Sequence, residues 1–312
     1  MKKMKAVCIY AYGGPGVLVY EDAPCPHPGD GEVLVKVHAA GINPVDWKIR
    51  EGHLKGMLHH TLPLILGWDV SGVVEALGTN LSRLKLGDEV FSRPDLSRDG
   101  AYAEFIVIRE SELALKPKSI DHIHAAALPL AGLTAWQTLF DAGGLAAGQR
   151  VLIHAAAGGV GSLAVQLAKW KEAYVIGTAS MHNHDFLRKL GADQVVDYER
   201  ERFEDVVGPV DVVLDTLGGD IQERSWKVLK RGGILISIVS PPSAETASAR
   251  GVRQAFVFIK PDAAQLAEIA KLADAEKIKA IVETILPLSD ATRGQELSQR
   301  GHTRGKIVLR VV

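Results

Sequence analysis

Residues 151–169 read VLIHAAAGGVGSLAVQLAK: a short apolar run, an Ala/Gly turn, and an apolar stretch with helical spacing. In a dinucleotide-binding turn the first glycine permits the tight bend, the second lets a pyrophosphate approach the backbone, and the third lets helix and strand pack closely. Aligned on the last glycine, these positions are Ala156, Gly158 and Gly161, with Gly159 and Val160 between the last two. The pattern predicts a phosphate-binding turn at a helix N-terminus, provided that Ala156 keeps a negative φ. The alternative is a glycine-rich turn that holds nothing.

The chain around this turn changes its rhythm near Ile120. After that point apolar strands alternate with helical stretches, as in VLIH before GSLAVQLAKW and AYVIGT before HDFLRKLG, which predicts a doubly wound parallel sheet. Before it, short β-branched runs such as EVLVKVHAAGI are separated by turn signals, which predicts a β-barrel-like module. We therefore expect an α/β protein with two domains, residues 1–122 and 123–278, the first completed by about residues 279–312.

Composition excludes several functional classes. The 312 residues are 47% hydrophobic and 23% charged with a net charge of -1, so no basic excess indicates a nucleic-acid partner. No apolar run is long enough for a membrane span, and the N-terminus does not form a signal-peptide core, so we expect a cytoplasmic protein. Cys8 and Cys25 are the two cysteines, too few for a disulfide framework or a cysteine-based metal cluster.

The end of the strand in AYVIGT indicates which dinucleotide is bound. An NAD site usually places a carboxylate there for the adenosine ribose, whereas this sequence has Thr178, Ala179 and Ser180. Ser180 and His182 can donate hydrogen bonds to a 2′-phosphate, so the sequence favours NADP(H). The alternative is a polar loop over an NAD site.

An ordered set of segments carries a family resemblance along essentially the whole chain. GINPVDWKIREG, LPLILGWDVSGVV and KLGDEVF in the first domain, with AAAGGVGSLAVQLAK, VIGTAS, HDFLRKLGADQVVDY and RGGILISI in the second, resemble the zinc-independent quinone oxidoreductase (zeta-crystallin-like) branch of the medium-chain dehydrogenase/reductase superfamily. The resemblance implies a GroES-like catalytic domain, a Rossmann domain that binds NADPH, and a homodimer.

The resemblance also implies site residues. It places Asn43, Asp46 and Lys48 at the catalytic position and adds cofactor-side residues outside the turn, namely Thr134, Tyr198, Ser240, Phe258 and Lys306. Other interpretations remain open for several of them. In these alternatives, Asp46 starts a helical turn while Lys48 points to water, Tyr198 caps the core, FVFIK is a dimer-edge strand, and Lys306 is a solvated strand-end charge.

Zinc enzymes of the superfamily carry a Cys, a His-Glu pair and a third ligand at positions occupied here by Asn43, Trp68-Asp69 and Leu130. None supplies a thiolate or an imidazole, so we expect no catalytic zinc. Without a Lewis acid, hydride reduction of a quinone or an α,β-unsaturated carbonyl is the favoured reaction. The alternative is an NADPH-binding structural or regulatory protein with little turnover.

Overall fold

A computed structural model describes residues 2–312 and divides the chain into two compact units. Unit 1 comprises Met1–Leu133, Lys260–Glu276 and Ala280–Val312, and unit 2 comprises Thr134–Ile259 and Lys277–Lys279. No helix within residues 2–312 is long and apolar enough to cross a membrane.

The strands, in chain order, are β1 (Lys3–Ile9), β2 (Leu18–Pro24), β3 (Glu32–Ile42), β4 (Leu64–Ile65), β5 (Val70–Leu77), β6 (Glu89–Ser92), β7 (Phe105–Arg109), β8 (Leu113–Leu115), β9 (Arg150–Ile153), β10 (Tyr174–Ala179), β11 (Gln194–Asp197), β12 (Val210–Asp215), β13 (Leu229–Ser237), β14 (Arg253–Phe256), β15 (Val282–Pro287) and β16 (Lys306–Arg310). The α-helices are α1 (Pro44–Arg50), α2 (His122–Ala125), α3 (Pro129–Trp136), α4 (Gly159–Trp170), α5 (His184–Leu190), α6 (Phe203–Val206), α7 (Gly219–Ser225), α8 (Ala244–Arg250), α9 (Ala263–Asp274) and α10 (Ala291–Arg300).

Unit 1 is the β-rich, GroES-like unit. A seven-stranded sheet has the order β15-β16-β3-β5-β6-β8 with β7 also paired to β3, and a three-stranded sheet has the order β2-β1-β4. The long strand β3 lies in the middle of this sheet, and adjacent residues whose side chains point to opposite faces, such as Val33 and Leu34, are both buried. The last strand, β16, pairs antiparallel with β3, so residues near the end of the sequence contribute to this sheet.

Unit 2 is the doubly wound unit that the sequence predicts. Its six-stranded sheet has the order β11-β10-β9-β12-β13-β14, and all pairs are parallel. The chain proceeds from β9 outward to β11 and then returns to β12 on the other side of β9. The order therefore reverses between β9 and β12, which is where open parallel sheets of this type bind ligands, outside the carboxyl ends of the strands.

Three details differ from the sequence-based expectations. The first boundary lies after Leu133 rather than at residue 122, and the return to unit 1 begins at Lys260 rather than near residue 279. Helix α9 belongs to unit 1 because Asp274 accepts a hydrogen bond from the Ser119 backbone N–H at 2.9 Å. The last difference concerns FVFIK: only its first residue, Phe256, belongs to strand β14, and the segment leaves the sheet after it. Helix α8, which precedes β14, is capped by the Ser243 hydroxyl.

Candidate functional site

The predicted phosphate-binding turn occupies residues 154–158, between the end of β9 and the start of α4. Ala156 is not among the residues with positive φ, as the alanine at this position requires, whereas its neighbour Ala155 has φ 47°. The Ala156 backbone N–H donates to Thr178 O at 3.0 Å, which ties the turn to β10. Gly158 is the N-cap of α4, with extended backbone dihedrals, followed by Gly159 and Val160 in the first turn of the helix.

The glycines of this turn have different local environments. A Cβ on Gly161 would collide with Ala155 O and lie 2.6 Å from Ala156 Cα, so the helix can approach the turn only with glycine there. A Cβ on Gly177 of β10 would lie 2.7 Å from Ala156 Cβ. At Gly158 the nearest atom would be Ala155 O at 3.4 Å, an ordinary contact. Among the residues that the structure describes, none therefore demands glycine at Gly158, which suits a position where a ligand approaches the backbone closely.

The polar residues at the end of β10 form one hydrogen-bonded group. Ser180 Oγ lies 3.1 Å from His182 Nδ1, and Asn183 Nδ2 donates to Ser180 Oγ at 3.3 Å. Tyr198 follows β11, the neighbouring strand, and is 49% exposed. Because β10 and β11 are parallel, Ser180 and Tyr198 lie at the same edge of the sheet as the glycine turn.

The other cofactor-side predictions within unit 2 have varied surroundings. Ser240 follows β13, and its hydroxyl accepts a hydrogen bond from Gln222 Nε2 at 3.3 Å. Phe258 lies beyond the end of β14 and is 41% exposed. Thr134 is buried in α3, where its carbonyl accepts a hydrogen bond from Thr138 Oγ1 at 2.6 Å. Ser240 thus shares the carboxyl edge of the sheet, whereas Thr134 is enclosed by its own helix and neighbours.

In unit 1, Asn43 precedes helix α1 and is held through its backbone. Its N–H donates to Asp46 Oδ2 at 2.8 Å, and the Tyr102 hydroxyl donates to the same oxygen at 2.7 Å. Asp46 is completely buried, and this burial raises the pKa of its carboxyl to about 7. The structure therefore gives Asp46 the role of a helix cap, the alternative interpretation above, because a fully buried carboxyl bound to the backbone is not free to meet a substrate.

Lys48 projects from the same helix and is half-buried. Its Nζ lies 5.7 Å from the centroid of the Trp47 ring, and no carboxylate within residues 2–312 forms an ion pair with it. Burial lowers the pKa of the Lys48 ammonium. A lysine in this state is a better proton donor than one in water, so the structure keeps Lys48 as a candidate acid.

Lys306 has a different position from the one predicted. It is 5% exposed, and its Nζ donates to Asp69 Oδ2 at 2.8 Å, to Ile42 O at 2.9 Å and to Asn43 Oδ1. An ammonium has three protons, so all of them are used inside unit 1. The prediction that Lys306 binds the cofactor is corrected accordingly: a buried charge must be paired, and its partner is Asp69.

Comparison with known proteins agrees with this geometry. The family profile described as alcohol dehydrogenase GroES-like domain matches residues 29–118, and the one described as zinc-binding dehydrogenase matches residues 190–309. The human mitochondrial NAD(P)H oxidoreductase RTN4IP1 is 35% identical, covering 90% of this chain and 82% of its own length. The chloroplastic NADPH-dependent alkenal/one oxidoreductase of Arabidopsis thaliana is 36% identical over 99% of this chain and 80% of its own length. The solved quinone oxidoreductase from Coxiella burnetii superposes with a TM-score of 0.93 at 37% identity, covering all of both chains.

The chain belongs to the quinone oxidoreductase branch of the medium-chain dehydrogenase/reductase superfamily. The expected fold, a GroES-like unit and a Rossmann unit, is confirmed by the same matches.

One of the matched profiles is described as zinc-binding dehydrogenase. Whether this chain could bind zinc depends on the residues at the positions where zinc enzymes of the superfamily carry their ligands. Trp68 is fully buried and donates its indole N–H to Arg98 O at 3.1 Å, and Leu130 offers only an apolar side chain. Asn43 and Asp69 are both engaged by the Lys306 ammonium, which is itself a cation. These residues do not fit a zinc ion, since the donor set lacks thiolate and imidazole and already holds a positive charge.

Sequence reasoning treated Asp69 only as a lost metal position and missed its link to Asn43. Asn43 Nδ2 donates to Asp69 Oδ2 at 2.8 Å, and Asp69 Oδ1 accepts the Leu130 backbone N–H at 2.6 Å. A signal was present in the sequence, because Asp69 interrupts the buried apolar run LPLILGWDVSGVV and a buried carboxylate needs a partner. The partner was not identifiable, since Lys306 is 237 residues away.

Proposed function

We propose that this protein is an NADPH-dependent reductase of quinones or α,β-unsaturated carbonyls that works without zinc. The observation that carries the proposal is the Lys306 ammonium on Asp69 and Asn43, because it fills the metal position in a chain that keeps a dinucleotide-binding turn. Relatives whose names include quinone oxidoreductase and NADPH-dependent alkenal/one oxidoreductase support it.

The turn and the edge of the parallel sheet suit NADP(H). Gly158 and the first backbone N–H groups of α4 would receive the pyrophosphate, while Ser180 and His182 would hydrogen-bond the 2′-phosphate. Tyr198 would lie against the adenosine end, and Ser240, which follows β13, would flank the nicotinamide half. When bound, the reduced cofactor supplies a hydride, that is, a proton with two electrons.

Polar residues of unit 1 would stabilise the negative charge that hydride addition creates on the acceptor and would supply a proton. Addition to the electrophilic carbon moves a pair of π electrons onto the carbonyl oxygen, which becomes an enolate or a hydroquinone oxyanion. A hydrogen-bond donor placed at that oxygen stabilises it. Asn43 would donate from its amide, and Lys48 or water would supply the proton that completes the reduction.

The test measures oxidation of NADPH and NADH by the purified protein, with and without a metal chelator. The acceptors are 1,4-benzoquinone, 9,10-phenanthrenequinone, an alkenal and a simple ketone. We expect turnover of quinone or alkenal with NADPH that the chelator does not change, and little turnover of the ketone. Tight NADPH binding without turnover of any acceptor would instead favour the second candidate, a cofactor-binding structural or regulatory protein. The glycine turn supports binding of the cofactor, which both candidate functions require, so it favours the two equally.

The Ser180→Asp variant tests the cofactor preference. A carboxylate there would repel the 2′-phosphate and accept hydrogen bonds from a ribose, so kcat/KM for NADPH should fall relative to NADH. A matched control is Ser289→Asp, at an exposed serine in unit 1, which should leave the ratio unchanged. An unchanged ratio in Ser180→Asp would place the 2′-phosphate elsewhere.

Assembly and compartment complete the proposal. Strand β14 is the edge of its sheet, and the exposed Phe256 and Phe258 lie at its end, so we propose that a second copy pairs along this edge to form a homodimer. Light scattering of the wild type against a Gln254→Pro variant tests it, since proline removes an edge N–H.

A cytoplasmic location is likewise proposed, and cell fractionation tests it.

A further inference from the structure

The side-chain amide of Asn43 lies between two ions of opposite charge. Its Nδ2 donates to Asp69 Oδ2 at 2.8 Å, and its Oδ1 accepts from Lys306 Nζ. A carboxylate only accepts hydrogen bonds and an ammonium only donates them. The chemistry of the two partners therefore permits one orientation of the amide and penalises the flipped one, in which nitrogen would face ammonium and oxygen would face carboxylate.

The two ions are fixed in turn by their own contacts. Lys306 Nζ and Asp69 Oδ2 are 2.8 Å apart, with side chains 5% and 0% exposed. Lys306 also donates to Ile42 O, and Asp69 also accepts from the Leu130 N–H. A buried ion pair offers little net stability over an apolar pair, so its presence here calls for another role. With all three protons committed, Lys306 can act only through Asn43 and Asp69.

The rest of Asn43 is equally constrained. Its backbone N–H is bound to Asp46, which Tyr102 holds from the other side. An amide nitrogen carries two protons, and Asp69 takes one of them. Within residues 2–312 no acceptor takes the second, so one N–H of a rigidly held amide is left for a ligand.

We propose that Asp69 and Lys306 are positioning residues that hold the Asn43 amide in a single orientation, so that its remaining N–H is presented to the carbonyl oxygen of the quinone or enone. This inference rests on the proposed function. It gives the buried ion pair a specific role, because a flipped amide would offer a lone pair to the oxygen as negative charge develops there, and would oppose the reaction. A preorganised donor needs no reorientation during hydride addition.

The first test reads the amide directly and needs no activity. The chain has three asparagines, Asn43, Asn80 and Asn183, so asparagine labelled with ¹⁵N gives three side-chain amide signals, and Asn43→Ala assigns one of them. In the wild type we expect two distinct Asn43 proton shifts with slow exchange. In the Asp69→Asn/Lys306→Met variant, which leaves no unpaired buried charge, we expect a shifted and faster-exchanging Asn43 signal. An unchanged signal would overturn the proposal.

The second test measures turnover. We expect kcat with the best acceptor to fall about 10–100-fold in Asp69→Asn/Lys306→Met, the usual cost of misplacing a catalytic group, while the Kd for NADPH from fluorescence stays unchanged. In the Asn43→Ala background the same pair of substitutions should have little further effect on kcat. Full additivity of the two effects would show that the ion pair acts on something other than Asn43. If the double variant does not fold, Asp69→Asn/Lys306→Gln serves for both tests, since it also removes both charges and keeps a polar group at each position.

The matched control is Lys116→Met. Lys116 is also a buried lysine of unit 1, and its Nζ donates to Pro117 O at 2.9 Å and to Ile120 O at 2.6 Å, without contact to Asn43. We expect this variant to lose stability but to keep the Asn43 signal and kcat. A wild type inactive with every acceptor would refute the proposed function, whereas the amide signal would still decide whether the ion pair orients Asn43.

Discussion

Ala155 is a residue whose backbone conformation does not suit its side chain. Its φ of 47° is in the left-handed region, which the Cβ of an L-residue disfavours and glycine does not. The turn that joins β9 to α4 imposes this conformation: Ala155 O lies next to the place where a Cβ on Gly161 would be. The protein therefore carries local strain in the segment that would bind phosphate.

Replacing Ala155 with glycine should relieve this strain. We expect Ala155→Gly to raise the free energy of unfolding by about 1 kcal/mol, the left-handed penalty less part of the entropy that glycine adds to the unfolded chain. Urea denaturation followed by circular dichroism measures the change. The control is Ala157→Gly in the same turn, which has no positive φ and should lose stability. A loss of stability in both variants would mean that the turn gains nothing from glycine at residue 155.

At the scale of the element, the turn and helix α4 contain glycines that are needed for two different reasons. Gly161 is needed for the helix to pack on the turn, whereas Gly158 has room for a methyl group. A single sequence pattern thus contains one position set by packing and one that a ligand would set.

Alanine substitution should distinguish the two positions. We expect Gly161→Ala to destabilise unit 2 by roughly 2 kcal/mol or more, since backbone atoms cannot yield to the new Cβ as a flexible side chain would. Gly158→Ala should change the melting temperature little yet weaken NADPH binding by at least 10-fold, because the methyl group would stand between backbone and pyrophosphate. Calorimetry and fluorescence titration measure these two effects. Normal NADPH affinity in Gly158→Ala would mean that no pyrophosphate lies against that residue.

At the scale of the whole molecule, buried titratable groups couple stability to pH in opposite senses. Burial lowers the pKa of His154 to about 4, and burial with the charge of His38 lowers that of His122 to about 4. Each imidazole binds a proton more readily in the unfolded chain, so its contribution to stability is lost as pH falls below about 6.5. Asp46 acts oppositely: its raised pKa, about 7, means that the folded chain holds the extra proton, so its contribution is lost as pH rises.

Near pH 5 the two histidines therefore outweigh Asp46 by nearly one proton, and these three groups should make stability rise by about 1 kcal/mol per pH unit. The rise becomes shallower toward pH 6.5, because the unfolded histidines lose their protons there. Asp46→Asn removes the opposing group while its amide oxygen still accepts from Asn43 and Tyr102. We expect a slope steeper than that of the wild type by about 1.4 kcal/mol per pH unit, measured by urea denaturation across this range. Equal slopes in the two proteins would mean that Asp46 titrates normally.

The sequence alone determined the features that depend on local pattern. Alternating apolar strands and helices predicted the parallel sheet, and the spacing of Ala156, Gly158 and Gly161 predicted the turn, because periodicity and backbone freedom act over a few residues. Helix α8 carries no such signal, since its small, polar residues give no apolar stripe.

The tertiary structure decided what the charged residues do. The family resemblance placed Asp46 at the reaction and Lys306 at the cofactor, whereas folding buries both and turns them toward Asn43. Whether a charge meets solvent, a ligand or an opposite charge depends on segments far apart in the chain, such as β16 lying against β3. An unpaired charge is so costly to bury that the role of a buried charged residue depends on the partner it finds. That partner is determined only when the strands of the sheet pair.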